Sequence, residues 1–225
     1  MSNGCATPRQ KMVGTSFVLM LLGVAAILAT AEPARAQPTE QQHASRGEHR
    51  VTSAARFLAG GAIGLAAHES GHLLFDGIFD AHAGAKKVSF HGIPFFAITH
   101  DPGLSRRREF VIDSAGFWVQ QVGNDVILSR HPDLRHARAP VLKGVFAFNV
   151  LASIAYAGTA FARTGPAERD TLGMARTLRW KEPAIGALIL APAVLDAVRF
   201  FRPDARWARW GSRATKAGMV LLVLR

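Results

Sequence analysis

The sequence predicts an all-α polytopic membrane protein, with about four transmembrane helices and a short β-hairpin after the first. Three observations carry this expectation. Apolar segments recur at 54–81, 110–128, 141–162 and 183–201, separated by loops rich in Lys and Arg. Hydrophobic residues make up 49% of the 225, which is too apolar for a disordered chain, and the 19% that are charged lie mostly between the apolar segments. A single cysteine, Cys5, excludes a disulfide scaffold and a cysteine-ligated zinc site.

The elements follow in chain order. Residues 1–36 read as a secretory signal peptide. Arg9 and Lys11 form its basic start, 13–30 is apolar and uncharged, and Ala34-Arg35-Ala36 supplies a small-x-small cleavage site before Gln37. The apolar stretch exceeds the usual signal core, so an uncleaved anchor is the alternative. Residues 37–53 have no apolar period and are expected to form a mobile polar leader. The membrane-embedded domain is expected to run from 54 to 225.

Within that domain, Ala54 to Ala81 forms the first apolar segment and carries His, Glu and Asp. Between it and the next, β-prone runs flank Gly92 and Pro94, which predicts a hairpin, and Asp101-Pro102-Gly103 adds turn chemistry. Phe110 to Leu128 is amphipathic, with Asp113, Gln120 and Asn124 near one face. Val141 to Ala162 is long enough to span a bilayer, with Asn149, Ser153 and Tyr156 aligned. Polar residues inside a span normally face the bundle interior. Pro183 to Phe201 is the fourth segment, with Asp196 and Arg199 near its end. The terminal 217–224 is too short to cross alone.

The net charge of +11 is spread over every connecting loop, so it selects no membrane orientation. It fits solvated loops and a lipid bilayer with anionic headgroups as partner. Nucleic acid is not an expected partner, because the charges do not gather on one polar face.

The chemistry-bearing motif is His68-Glu69-Ser70-Gly71-His72, an H-E-x-x-H pattern. Roughly one random chain in a hundred of this composition would contain it. On a helix, residues four apart share a face, so both imidazoles can hold one divalent metal, Zn2+ being the expected ion. Glu69 is then the expected general base of a metal-assisted hydrolysis. Three ionisable groups in an apolar segment are costly without such a partner. Gly60, Gly61, Gly64 and Gly71 permit close helix approach. Asp76 continues the histidine face and is a candidate hydrogen-bond partner for a ligand histidine.

A catalytic zinc needs a third protein ligand. The metzincin extension is excluded, since Phe75 and Ile78 stand where it requires Gly and His. Glu109, with Asp113 four residues on, matches a gluzincin-like spacing, and Asp170 and Asp196 are further candidates.

The H-E-x-x-H helix in an apolar segment resembles the site-2 protease family of intramembrane zinc metalloproteases, in a short bacterial form. His68 to His72 followed by Leu73-Leu74 is close to the family's H-E-x-G-H start. Gly92-Ile93-Pro94-Phe95-Phe96 stands where such proteins place a membrane-associated strand. Ala115-Gly116 resembles the family's A-G-P segment, with Phe117 in place of Pro, and Asn149 stands on a later span as the family's asparagine does. The family's L-D-G tripeptide is absent. Asp170, in Arg169-Asp170-Thr171-Leu172-Gly173, resembles the third-ligand segment of shorter relatives, and Leu195-Asp196-Ala197 is the nearest approach to L-D-G.

The resemblance implies a zinc-dependent intramembrane endopeptidase of the bacterial inner membrane, acting on membrane-associated proteins. Its ligands would be His68, His72 and Asp170, and its base Glu69. Two rival expectations stand beside it: a membrane protein that binds metal or a partner without catalysis, and a secreted gluzincin-like peptidase using Glu109.

Overall fold

The structure, a computed structural model, describes residues 42–90 and 93–223. The expected signal peptide at 1–36 lies outside the described residues. The chain divides between Gly47 and Glu48, and apart from the start of the first helix every feature that follows lies in Glu48–Arg225. Among the described residues are six helices and one hairpin: α1 (Gln42–Phe79), β1 (Gly84–Phe90), β2 (Ile93–Thr99), α2 (Arg106–Arg130), α3 (Pro140–Ala162), α4 (Asp170–Leu178), α5 (Glu182–Phe201) and α6 (Arg206–Val223).

α1 begins at Gln42, well before the apolar segment, so most of the stretch expected as a polar leader is helical. It ends in a Schellman motif: Asp80 takes a left-handed φ of 54°, and the Ala81 N–H donates to the Asp76 carbonyl at 2.8 Å. Arg163 and Arg179 close α3 and α4 in the same way. The strands pair antiparallel from Gly84↔Thr99 to Phe90↔Ile93, as the two β-prone runs predict. The turn at 102–103 follows, with Gly103 at φ 103°. Ser105 caps α2 by accepting from the Arg108 N–H. Pro residues open α3 and α5, where a missing N–H costs nothing.

Two apolar clusters hold the bundle. Phe110, Phe117, Met174, Ile185, Ile189 and Met219 join α2, α4, α5 and α6. Ile127, Leu128, Leu134, Phe146 and Val150 form the second, between α2 and α3. Glycines set the closest approaches. A Cβ on Gly60 would stand 3.0 Å from the Gly144 Cα, where α1 crosses α3, and one on Gly71 would stand 2.8 Å from the Ala115 carbonyl oxygen of α2.

Beside the apolar core, several polar side chains are buried and several large apolar ones are exposed. His68, His72, Gln120, Asn124, Asn149 and Asp196 are buried, while Leu58, Ile78 and Leu151 are 69%, 60% and 63% exposed. The polar stripes of α2 and α3 meet inside: Asn149 Nδ2 donates to Asn124 Oδ1 at 2.9 Å. Among the described residues, α3 and α5 are the two helices long and apolar enough to cross a membrane. α1 and α2, expected as spans, carry the buried polar groups and fall short of that measure.

Candidate metal centre

His68 and His72 lie one turn apart on the face of α1 that meets α2. The fit depends on small residues. Gly71 lets the backbones approach, and Gly116 on α2 leaves room for the imidazole of His68, since a Cβ there would stand 2.5 Å from both ring nitrogens. The His68 ring is walled by Phe117, edge-on at 5.5 Å, and by Tyr156, stacked at 5.8 Å. His72 Nδ1 lies 2.8 Å from the Ile112 carbonyl oxygen. A carbonyl only accepts, so Nδ1 carries the proton and the Nε2 of a neutral His72 presents its lone pair inward.

Asp170 closes the site from another part of the chain. It is the first residue of α4, where the unpaired N–H groups and the helix dipole favour a carboxylate. The neighbouring Arg169 forks onto Glu182, with Nε to Oε1 at 2.6 Å and Nη2 to Oε2 at 2.7 Å, and also donates to the Gly165 and Pro166 carbonyls. Thr171 Oγ1 donates to the same Glu182 oxygen at 2.9 Å. This bidentate pair between the starts of α4 and α5 fixes Asp170. Burial alone would raise the carboxyl's pKa, but the imidazoles of His72 and His68 and the Tyr156 hydroxyl outweigh it and hold the pKa below the ordinary aspartate value.

The three inward atoms form a near-equilateral triangle. His68 Nε2 to His72 Nε2 is 3.3 Å, His68 Nε2 to Asp170 Oδ2 is 3.4 Å, and His72 Nε2 to Asp170 Oδ2 is 3.6 Å. Tetrahedral coordination with bonds of about 2.0–2.2 Å has edges of about 3.3–3.6 Å. A metal-free imidazolium–carboxylate pair would close to about 2.7–2.9 Å. His68 Nδ1 and Asp170 Oδ2 are buried without a hydrogen-bond partner. Two imidazoles and one carboxylate form a donor set that suits Zn2+. Among the described residues these three form the group whose ligand atoms converge.

A cavity of about 350 Å³ opens beside this triangle. Glu69, His72, Asp170 and Tyr156 line it together with apolar residues including Leu65 and Ile98. The hairpin supplies one wall, and Lys86 Nζ donates to Glu168 Oε1 at 2.5 Å to tie that wall to the segment before α4.

The structure thus brings together His68, Glu69, His72 and Asp170. It places the other third-ligand candidates elsewhere. Asp196 is buried in a separate cluster, accepting from Arg199 at 3.0 Å, Ser212 at 2.6 Å and Lys216 at 2.7 Å, so its charge is already matched. Glu109 stays in the first turn of α2, outside the converging group. Asp76, the expected partner of a ligand histidine, makes no side-chain hydrogen bond and lies 3.8 Å from His100 Nδ1; the Ile112 carbonyl orients His72 instead. Sequence reasoning did not single out Arg169 and Glu182. A buried fork between residues thirteen apart leaves no periodic signal, although Glu182 directly before Pro183 does mark a helix start. Gly116 figured only as part of a dipeptide, and its role as the floor beneath His68 appears in three dimensions alone. Compared with known proteins, the chain matches no family, no curated sequence and no solved structure.

Proposed function

We propose that this chain is a membrane-embedded zinc endopeptidase of the site-2 protease type, hydrolysing peptide bonds of membrane-associated proteins. The observation that carries the reading is the triangle of His68, His72 and Asp170, whose edges match tetrahedral coordination, with Glu69 on the adjoining cavity. His68, His72 and Asp170 would hold the ion, which when bound would supply Lewis acidity and lower the pKa of a water towards neutrality. The Glu69 carboxylate takes the proton of the attacking water and returns it to the leaving amine. His72 is kept in one tautomer by Ile112, and Asp170 is kept in place by the Arg169–Glu182 fork. The apolar residues of the cavity wall suit an extended apolar segment. The hairpin has free edges among the described residues, so such a segment can pair with it and present its backbone.

The buried polar groups and exposed large apolar side chains support a bilayer as surroundings, in a bacterium the inner membrane. Polar groups of α1 and α2 are sheltered inside, and large apolar side chains face outward on α1, α2, α3 and α5. In that setting α1 and α2 join α3 and α5 as spans.

Glu69→Gln tests the catalytic claim. The variant is expected to keep zinc and lose cleavage of a membrane-tethered reporter, while His68→Ala, His72→Ala and Asp170→Ala lose the ion. Cleavage by Glu69→Gln at the wild-type rate sinks the peptidase reading and leaves a metal-binding protein. Release of the chain by alkaline carbonate without detergent sinks the membrane reading.

A further inference from the structure

A second polar site lies at the far end of α5. The helix rises about 25 Å between Glu182 and Arg199, so this site is remote from the metal centre. A cavity of about 210 Å³ is lined there by Ser129 from the last turn of α2, by Arg199 from the last turn of α5, and by Arg209 and Arg213 from α6. Three guanidiniums therefore border one small pocket.

Acidic neighbours do not neutralise it. Asp125 Oδ1 accepts from Arg199 Nη1 at 2.7 Å and, more weakly, from Arg213 Nε at 3.4 Å. Asp196 accepts from Arg199 Nη1 at 3.0 Å and is matched independently by Lys216. Four cations, Arg199, Arg209, Arg213 and Lys216, thus face two carboxylates. Arg199 has only 6% of its side chain exposed and uses Nη1 in these contacts, and among the described residues no hydrogen bond engages Nε or Nη2. Arg213 Nη2 donates to Ser129 Oγ at 3.1 Å, which holds its fork beside the pocket. Arg209 makes no ion pair among the described residues.

The surroundings indicate where such a ligand comes from. The pocket lies where the apolar length of α5 ends. On α6, Trp207 and Trp210 are 66% and 67% exposed, beside Arg206, Arg209 and Arg213. Exposed indoles next to arginines at the end of an apolar helix are the side-chain chemistry of a membrane–water boundary. Forked donors with a hydroxyl alongside suit a tetrahedral, several-oxygen anion better than they suit a single carboxylate.

We propose that this pocket binds a phosphate group, as the headgroup of an anionic phospholipid or as free phosphate. The lipid source rests on the membrane reading above; the site itself depends on neither that reading nor zinc.

The test uses the full chain purified in neutral detergent. In one arm, native mass spectrometry counts retained phosphatidylglycerol against phosphatidylcholine. In the other, thermal melting is followed with added inorganic phosphate and no lipid. The wild type is expected to retain phosphatidylglycerol at least tenfold over phosphatidylcholine, and the Arg209→Ala/Arg213→Ala variant to lose that preference with zinc content unchanged. Lys87→Ala/Arg107→Ala, which removes cations away from the pocket, is expected to behave as wild type. Stabilisation by inorganic phosphate without a lipid preference, abolished in the pocket variant, assigns the site to the free anion. Arg209→Ala alone, which removes no ion pair or side-chain hydrogen bond among the described residues, carries the comparison should the double variant misfold. Equal responses of the wild type and the pocket variants to both probes overturn the proposal, as does the same lipid preference in Lys87→Ala/Arg107→Ala being lost.

Discussion

Replacing Gly116 by alanine adds one methyl group directly under the first ligand histidine. The new Cβ would stand 2.5 Å from His68 Nδ1 and Nε2, whereas ordinary contact begins near 3.5 Å. The ring or the helix must therefore give by about 1 Å. Ring motion is restricted, because Phe117, Tyr156 and His72 have centroids 5.5, 5.8 and 5.0 Å from that of His68. Metal–ligand distances tolerate about 0.2 Å, so a shift several times larger takes Nε2 out of the triangle. Overpacking of this kind costs about 1–3 kcal/mol, which, if borne by the ligand geometry, is about a fivefold to 150-fold loss of zinc affinity. Gly158→Ala is the control, since nothing lies within 4 Å of a Cβ there; alanine in a helix is expected to leave stability unchanged or raise it by up to about 1 kcal/mol. Competition with a fluorescent chelator measures the affinity, and thermal melting of the metal-free protein measures the fold. Wild-type zinc affinity in Gly116→Ala, with the fold intact, refutes the placement of His68 Nε2 as a ligand atom.

Further outcomes follow from the same contacts. Glu182→Gln leaves Arg169 with an uncompensated charge in a site where the two side chains are 11% and 6% exposed. A loss of about 3–5 kcal/mol is expected, read as a lower midpoint in chemical denaturation, together with weaker zinc retention because Asp170 loses its anchor. Asn149→Ala strands the Asn124 carbonyl in the interior and is expected to cost about 1–3 kcal/mol with zinc stoichiometry unchanged. The Lys86 hydrogen bond holds the Glu168 carboxyl below the ordinary glutamate range. Its stabilising contribution is therefore complete above that ordinary value and is lost as pH falls through the depressed one. Lys86→Ala should melt lower than wild type at neutral pH and converge with it in acid; parallel melting profiles at every pH would show that the tie contributes nothing.

The long helices were legible because their signals are local. Val141–Ala162 and Pro183–Phe201 announce α3 and α5 within a residue, since an unbroken apolar run and an opening proline need no tertiary information. The two β-prone runs around Gly92 likewise locate the hairpin. α1 was harder, because 42–53 has no apolar period and yet continues the helix. His68 and His72 are four residues apart with Glu69 adjoining the first, so helical geometry alone places them. Asp170 comes from a distant segment, and composition does not distinguish it from Asp196; what separates them is the company each keeps, two imidazoles for one and three cationic or hydroxyl donors for the other. The ring-sized gap at Gly116 depends on helix spacing, which no single segment encodes.

Because Asp170 belongs to α4 while both histidines belong to α1, an ion bound by all three is also a removable cross-link between the two halves of the chain. It would close a loop of roughly a hundred residues, a constraint worth about 5 kcal/mol in a chain-entropy picture. Such a clasp can form only after synthesis has passed Asp170, when the hairpin, α2 and α3 have already been made. Its removal would take away that constraint between α1 and α4 without breaking a covalent bond, so chelation is a reversible way to loosen this protein along one seam.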